Sequence, residues 1–230
     1  MQGYRLKFEH YRIGDHIYRI RSLRDKQQYY DPDGTAEKVG ITSANWSLFG
    51  VVWPAAQMLA RHMDSYAIEG RRILEVGCGL ALASIVLHRR GADITTSDYH
   101  PMVPTFLRAN MMLNHLTHID TISGNWAETE KEPERFDLII GSDILYERGH
   151  FDLLSAFINR HARAEAEVVI VDPGRGHTGK FSRRMETLGY TFSEERTEMQ
   201  LANRQPFRGR IMTYRRSLAR SGLAKGAISV

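Results

Sequence analysis

In the first half of the chain a strand, a glycine turn and a helix follow one another directly, and this succession constrains the fold more than any other feature of the sequence. Apolar residues predict the strand at Ile73–Val76, and the helix is predicted from near Leu80 to Gly91. Gly77 and Gly79 lie in the turn, where a ligand can approach bare backbone. The first N–H groups of a helix lack partners within it, so the segment is typical of a site for a nucleotide-like cofactor.

Strand and helix patterns alternate through most of the remaining chain. Further strands are predicted at 93–97, 119–123, 136–141 and 167–171, helices at 101–115, 151–161 and 177–188, and a final strand pair at 190–197 and 208–215. The strand at 136–141 is nearly all apolar, as a strand buried on both faces should be. We therefore predict an α/β fold with a doubly wound, mainly parallel, seven-stranded Rossmann-like sheet and helices on both faces.

The first 45 residues are expected to form an extension of this fold. Apolar and polar residues alternate from Tyr4 to Ile20 around Gly14-Asp15, which predicts a β-hairpin. The turn-rich segment Arg24–Gly40 is either a mobile lid or a connector. A helix is predicted from Pro54. The domain boundaries that follow are 1–45 for the extension, 46–216 for the main domain and 217–230 for a flexible basic tail.

Composition limits the location and the partners of the protein. No run of about 18 apolar residues and no apolar signal sequence is present, and the single cysteine excludes an internal disulfide, so a cytoplasmic location is expected. The net charge of +4 invites a nucleic-acid partner, but the excess is scattered or lies in the tail, so nucleic acid is not favoured. The ten histidines show no metal-ligand spacing, and no metal is predicted.

Polar and aromatic residues follow the predicted parallel strands and should gather in one crevice. In a doubly wound sheet the ligand lies beyond the carboxyl ends of the strands. The residues expected there are Gly77, Cys78, Gly79, Asp98, Asn125, Trp126, Ser142, Asp143 and Tyr146.

The glycine turn differs from two familiar phosphate-binding motifs. The dinucleotide fingerprint requires a third glycine where this chain has Leu82, and no Gly-Lys-Ser/Thr follows the turn as in a P-loop. Asp98 would accept hydrogen bonds from ribose hydroxyls with either a dinucleotide or another nucleoside cofactor.

The series Glu75-Val-Gly-Cys-Gly-Leu, Ser97-Asp98 and Phe136-Asp-Leu-Ile-Ile resembles the motifs of the seven-stranded S-adenosylmethionine-dependent methyltransferases. The resemblance covers roughly 46–216. Val51-Val-Trp53-Pro54 and Ser142-Asp143-Ile-Leu-Tyr146 further resemble the protein-lysine methyltransferase branch, whose bacterial-type relatives are often labelled nicotinamide N-methylase-like.

This resemblance implies a role for each site residue. On the cofactor side, Glu75 and the Gly77–Gly79 turn with Cys78 would hold the methionine part of S-adenosyl-L-methionine. Asp98 would bind its ribose. The other implied contacts are Tyr99, Asn125 and Trp126 beside the adenine, and Trp53 and Ser142 along the methionyl part. Asp143 and Tyr146 would position the acceptor amine.

The expected function is transfer of a methyl group to a protein lysine amine. The absence of prolines between Asp143 and Tyr146 counts against adenine N6 and glutamine acceptors, and Cys78 is misplaced for a cytosine C5 enzyme. Three alternatives remain open: a small amine or pyridine acceptor of nicotinamide type, an RNA acceptor, and a cofactor-binding interaction module without catalysis. The oligomeric state is not predicted.

Overall fold

The computed structural model describes residues 4–25, 27–28, 31–42, 46–129, 131–146, 150–174, 176–201 and 206–217. The predicted basic tail, apart from Ser217, lies outside these ranges, as do parts of the N-terminal extension. Within them, no helix is long and apolar enough to cross a membrane.

Seven strands form one sheet and two form a separate hairpin. The hairpin strands are β1 (Leu6–Ile13) and β2 (His16–Leu23); the sheet strands are β3 (Arg72–Val76), β4 (Asp93–Asp98), β5 (Asp120–Ser123), β6 (Phe136–Ser142), β7 (Ala162–Asp172), β8 (Thr191–Gln200) and β9 (Pro206–Arg216). The order across the sheet is β5-β4-β3-β6-β7-β9-β8, and β9 runs antiparallel to both of its neighbours. The predicted hairpin and the seven-stranded, mainly parallel sheet are therefore confirmed.

Helices cover both faces of the sheet, as the doubly wound prediction requires. The helices of the described residues are α1 (Thr35–Lys38), which packs in a separate small cluster, and α2 (Pro54–Asp64), α3 (Leu82–Arg89), α4 (Val103–Leu113), α5 (His150–His161) and α6 (Thr178–Thr187). Successive strand residues enter two different cores: Ile73 packs with the hairpin and α2–α4, whereas Leu74 packs with α5 and α6. This alternation follows from the period of two in a strand.

Several predicted boundaries shift by one to five residues, and two of these shifts have a clear physical reason. The helix expected from near Leu80 begins at Leu82, because Ala81 has a φ of 58°, a left-handed conformation that a right-handed helix cannot contain. The strand expected at 167–171 begins at Ala162. The prediction missed its first residues because they include the exposed Arg163 and Glu165 and carry no apolar pattern. The C-terminal signal at Gly91 was right: its φ is 79° and its N–H donates to His88 O at 3.0 Å.

The edge of strand β2 is covered by two asparagines, Asn110 in α4 and Asn114 at the C-cap of that helix. Asn110 Oδ1 accepts the backbone N–H of Arg21 at 2.8 Å, and Asn114 Oδ1 accepts that of Arg19 at 3.0 Å. Asn114 Nδ2 also donates to Arg19 O at 2.8 Å. The side chains thus replace a neighbouring strand and attach the hairpin to the main core.

Replacement of Asn114 by alanine tests this attachment. The change leaves the N–H and C=O of Arg19 without their partner, so we expect the free energy of unfolding to fall by about 2 kcal/mol in urea titration. Met112→Ala, on the same helix but 71% exposed, is the control and should change it by less than about 0.5 kcal/mol. Equal unfolding midpoints for the two variants would contradict the assignment.

Candidate active site

The carboxyl ends of β3, β4, β5 and β6 border a cavity of about 670 Å³. Among the residues that line it are nearly all of the site residues predicted from the sequence: Trp53, Gly77, Cys78, Gly79, Asp98, Tyr99, Asn125, Trp126, Ser142, Asp143 and Tyr146. Glu75 does not line it. Every residue predicted to gather at the strand ends therefore lines the cavity, and Glu75 is the one predicted site residue that does not.

The loop between β3 and α3 holds its backbone against the cavity. Cys78 N–H donates to Ser97 O at 3.1 Å, which extends the β3–β4 pairing past Val76. Gly77 and Gly79 have φ values of 63° and 54°, a region that favours glycine. A Cβ added at Gly79 would meet no atom within 4 Å, so a side chain there would extend into the cavity. Burial raises the pKa of the Cys78 thiol well above its ordinary value, consistent with a small packing role.

Asp98 joins the glycine loop to the end of β4. Its Oδ2 accepts the N–H of Gly79 and its Oδ1 accepts the N–H of His100, each at 2.8 Å. Burial raises the pKa of Asp98, and these backbone donors oppose that shift. A carboxylate has about four acceptor positions, so both oxygens can still accept hydroxyl hydrogens. A Cβ on Gly124 would lie 2.2 Å from the carbonyl carbon of Asp98, which explains the glycine after β5.

Glu75 lies beneath the loop and caps α3. Its Oε2 accepts the backbone N–H of Ser84 at 2.9 Å and also the Ser84 hydroxyl. The carboxyl group is 2% exposed, and burial raises its pKa to about 7. The structure thus gives Glu75 a capping contact, and a direct contact with the methionine part of a cofactor stays a prediction.

Aromatic side chains form two walls of the cavity. Trp53 Nε1 donates to Leu48 O at 3.0 Å, which fixes the indole at the start of α2. Trp126 is held by Arg160, whose guanidinium donates to the Trp126 carbonyl at 3.0 Å, and its ring lies edge-on to His150 at 5.8 Å. These contacts orient both predicted tryptophans before any ligand binds.

Asn125 is engaged within its own loop. Its Nδ2 donates to Glu128 Oε1 at 2.9 Å, and its Oδ1 accepts the Ala127 N–H at 3.2 Å. Asn125 therefore shapes the turn that carries Trp126, in addition to lining the cavity.

The described part of the Arg24–Gly40 segment, with the residues after it, forms a wall that the sequence did not predict. Val39 O accepts the Tyr99 hydroxyl, and Gly40 and Ile41 line the cavity. The His100 ring stacks on Phe49 with centroids 4.1 Å apart, and burial lowers its pKa to about 4. No local pattern marks these residues, because their contacts join positions about fifty residues apart.

The predicted acceptor motif begins in a strained conformation. Asp143 has a φ of 54°, and its N–H donates to Val171 O at 2.9 Å. Aspartate is among the few non-glycine residues that adopt this region readily. Tyr146 also lines the cavity and is 37% exposed. His150, the first residue of α5, lines the cavity as well and was not predicted from the sequence.

The electrostatic character of the cavity is neutral to negative. Asp98 and Asp143 line it, while the described lining residues include no lysine or arginine. Such a lining favours ligands that carry positive charge and hydroxyl groups over phosphates.

Comparisons with known proteins agree with this geometry. The sequence profile of a family described as lysine methyltransferase matches residues 40–186. The electron transfer flavoprotein β subunit lysine methyltransferase of Xenopus laevis is 31% identical over 134 residues, 56% of this chain and 52% of the relative. Protein N-lysine methyltransferase METTL21A of Xenopus tropicalis is 31% identical over 137 residues, 55% of this chain and 62% of the relative. The matches thus span about half to three fifths of these relatives.

The fold is shared with solved methyltransferases. A 16S rRNA methyltransferase from T. thermophilus, in complex with AdoMet and guanosine, superposes with a TM-score of 0.60 at 15% identity, over 94% of this chain and 52% of that chain. The fold is therefore the Rossmann-like fold of these methyltransferases. Because the profile covers more than half of the sequence, the chain belongs to the lysine methyltransferase family.

The raised pKa of Glu75 predicts a pH-dependent stability that Glu75→Gln should remove. The folded protein retains a proton that the unfolded chain releases above its ordinary carboxyl pKa of 4.5, so this contribution to the free energy of unfolding is lost as pH rises from 4.5 through about 7. Urea titrations from pH 5 to 8 should show wild type losing stability relative to the variant, by up to about 3 kcal/mol. The lowered pKa of His100 makes the free energy of unfolding rise with pH instead, and it contributes equally to wild type and to Glu75→Gln. Parallel pH profiles would contradict the prediction.

Proposed function

We propose that this protein is an S-adenosylmethionine-dependent N-methyltransferase that methylates a lysine side chain of a protein. The observation that carries the proposal is the meeting of two motifs at one cavity: Asp98 with the glycine loop on one side, and Asp143 with Tyr146 on the other. The family match supports lysine as the acceptor.

The residues present suit this cofactor. Gly79 leaves room for a ligand against the backbone, and Asp98 retains acceptor capacity for two ribose hydroxyls. Tyr99 and Trp126 offer aromatic faces for an adenine ring. When bound, S-adenosylmethionine supplies a methyl group on a positively charged sulfur atom, which no lining arginine or lysine among the described residues would repel.

On the acceptor side, the chain has to hold a neutral amine in line with the methyl group. A lysine amine has a pKa near 10.4 and is mostly protonated at neutral pH. Removal from water and a positive charge nearby both lower that pKa. Asp143 would orient the amine by accepting its N–H hydrogens, and Tyr146 would form one wall of the channel. Both are positioning roles that need no covalent intermediate.

The mouth of the cavity favours an acceptor carried by a protein. Three large side chains there are unusually exposed and have no proposed contact with the cofactor, and we call them the apolar rim: Leu48 (42%), Tyr146 (37%) and Leu153 (40%). A nicotinamide-sized acceptor would enter the cavity and leave this rim in water, whereas a protein would cover it. RNA is a less favoured acceptor than protein, because RNA phosphates bind lysine and arginine and the described lining residues include neither. A cytoplasmic location remains an expectation from the sequence.

Two conservative variants separate cofactor binding from acceptor positioning. Asp98→Asn should weaken S-adenosylmethionine binding at least about tenfold, since the ribose hydroxyls lose a charged acceptor. Asp143→Asn keeps a residue type that tolerates the left-handed backbone, so its cofactor affinity should stay within about threefold of wild type while turnover falls. Calorimetric titration gives the affinities. Equal loss of affinity in both variants would refute the division of roles.

Transfer of labelled methyl groups identifies the acceptor. The full chain is incubated with S-adenosyl-L-[methyl-³H]methionine and a cell extract, which is then divided into protein, RNA and small molecules. We expect label in the protein fraction, recovered as methyllysine after hydrolysis and absent with Asp143→Asn. Label confined to nuclease-sensitive or small-molecule fractions would overturn the lysine assignment. Cofactor binding without any transfer would support the non-catalytic alternative.

A further inference from the structure

The side chain of Ile144 lies between the two motifs of the site. A Cβ built on Gly77, in the glycine loop, would be 2.7 Å from Ile144 Cγ2. A Cβ built on Gly141, in the strand that leads to Asp143, would be 2.7 Å from Ile144 Cδ1. Ile144 itself is 5% exposed. The side chain therefore fills space that exists only because both neighbours are glycines.

The backbone before Ile144 is held by contacts that do not involve the Ile144 side chain. Asp143 is held in its left-handed conformation by the bond from its N–H to Val171 O. Gly141 pairs with Val76 in the ladder between β6 and β3, and a Cβ on Gly141 would lie 3.1 Å from Val76 O. Ile144 thus contacts the loop after β3 while being attached to the turn after β6. It is a packed spacer between two rigid elements.

We propose that Ile144 is a positioning residue that sets the separation between the cofactor-binding loop and the acceptor-binding residues Asp143 and Tyr146. This inference rests on the proposed function. In an in-line displacement the reacting atoms must approach to about 3–3.5 Å, and a misplacement of about 1 Å can cost about 100-fold in rate. A close-packed spacer transmits even the loss of one methyl group to that distance.

A purely structural role would have a different signature. Ile144 belongs to the same core cluster as Ile170, a β7 residue that is 1% exposed. Shortening either side chain by one methyl group should lower the melting temperature to a similar small extent. If Ile144 only fills the core, Ile144→Val and Ile170→Val should also have similar transfer rates.

The first experiment compares these two variants as full-length proteins. The readouts are melting temperature, the dissociation constant for S-adenosylmethionine by calorimetry, and the initial rate of labelled methyl transfer to extract protein at saturating cofactor. We expect Ile144→Val to transfer about tenfold more slowly while its dissociation constant stays within about threefold of wild type. Ile170→Val should match wild type in both. Equal rates for the two variants would overturn the proposal.

The second experiment uses steric complementation at Gly141. Gly141→Ala places a Cβ against Ile144 Cδ1, and Ile144→Val removes that methyl group while keeping Cγ2. The double variant should therefore be faster than the product of the two single effects predicts. Gly141→Ala combined with Ile158→Val, a buried α5 residue of the same cluster that does not pair with Gly141, should show simple multiplication. Multiplication in both pairs would overturn the proposal, whereas a wild-type protein that transfers no methyl group would instead refute the proposed function.

Discussion

The carboxylate of Asp98 is the interaction on which the site depends. It accepts the N–H of Gly79 in the glycine loop and the N–H of His100 beyond β4, so one side chain joins the first two strand ends. The backbone of the same residue accepts the Gly124 N–H at 3.1 Å from the third strand end. Three loops that are distant in sequence thus meet at one residue. A ligand that binds Asp98 is held where all three converge.

A second carboxyl group, that of Glu75, lies beneath the glycine loop. Glu75 caps the first turn of α3, and the nearby charge of Asp98 adds to the burial that raises its pKa. Two anions so close together are costly, and a proton on Glu75 relieves the repulsion. Burial is the larger cause of this pKa shift, so the predicted loss of stability with rising pH comes mainly from the burial of Glu75, and the charge of Asp98 adds to it. A positively charged ligand beside Asp98 would compensate for the same repulsion.

The sequence predicted the parts of the site that follow from parallel topology. Asp98 ends a strand and Trp126 and Asp143 follow strands, and strands running in one direction bring their carboxyl ends to one edge. The position of Glu75 also follows from strand geometry, because alternation places it on the same face as Ile73, under α3. The alternation therefore predicts that the Glu75 side chain does not line the cavity.

The cavity wall formed by Val39, Gly40, Ile41 and Phe49 could not be predicted from strand topology. His100 lines the cavity because it packs on Phe49 and Trp46, and Tyr99 because its hydroxyl reaches Val39. Stacking between such distant positions leaves no periodic signal in either segment. Of the stretch before Pro54, the resemblance to a known family singled out Trp53, which does line the cavity. The other lining residues there, Leu48, Phe49, Val51 and Val52, were not predicted.

The two sides of the site are built by different physical means. On the proposed cofactor side, the Asp98 carboxylate accepts hydrogen bonds from two backbone N–H groups. On the proposed methyl-acceptor side, one backbone hydrogen bond holds Asp143 at its positive φ, and close packing places Ile144 between two glycines. Hydrogen bonds tolerate small displacements of the atoms that they join, whereas a close-packed side chain does not. Changes at Gly77, Gly141 or Ile144 should therefore act on transfer geometry before they act on cofactor affinity, because they alter the distance between the two sides and leave the Asp98 contacts in place.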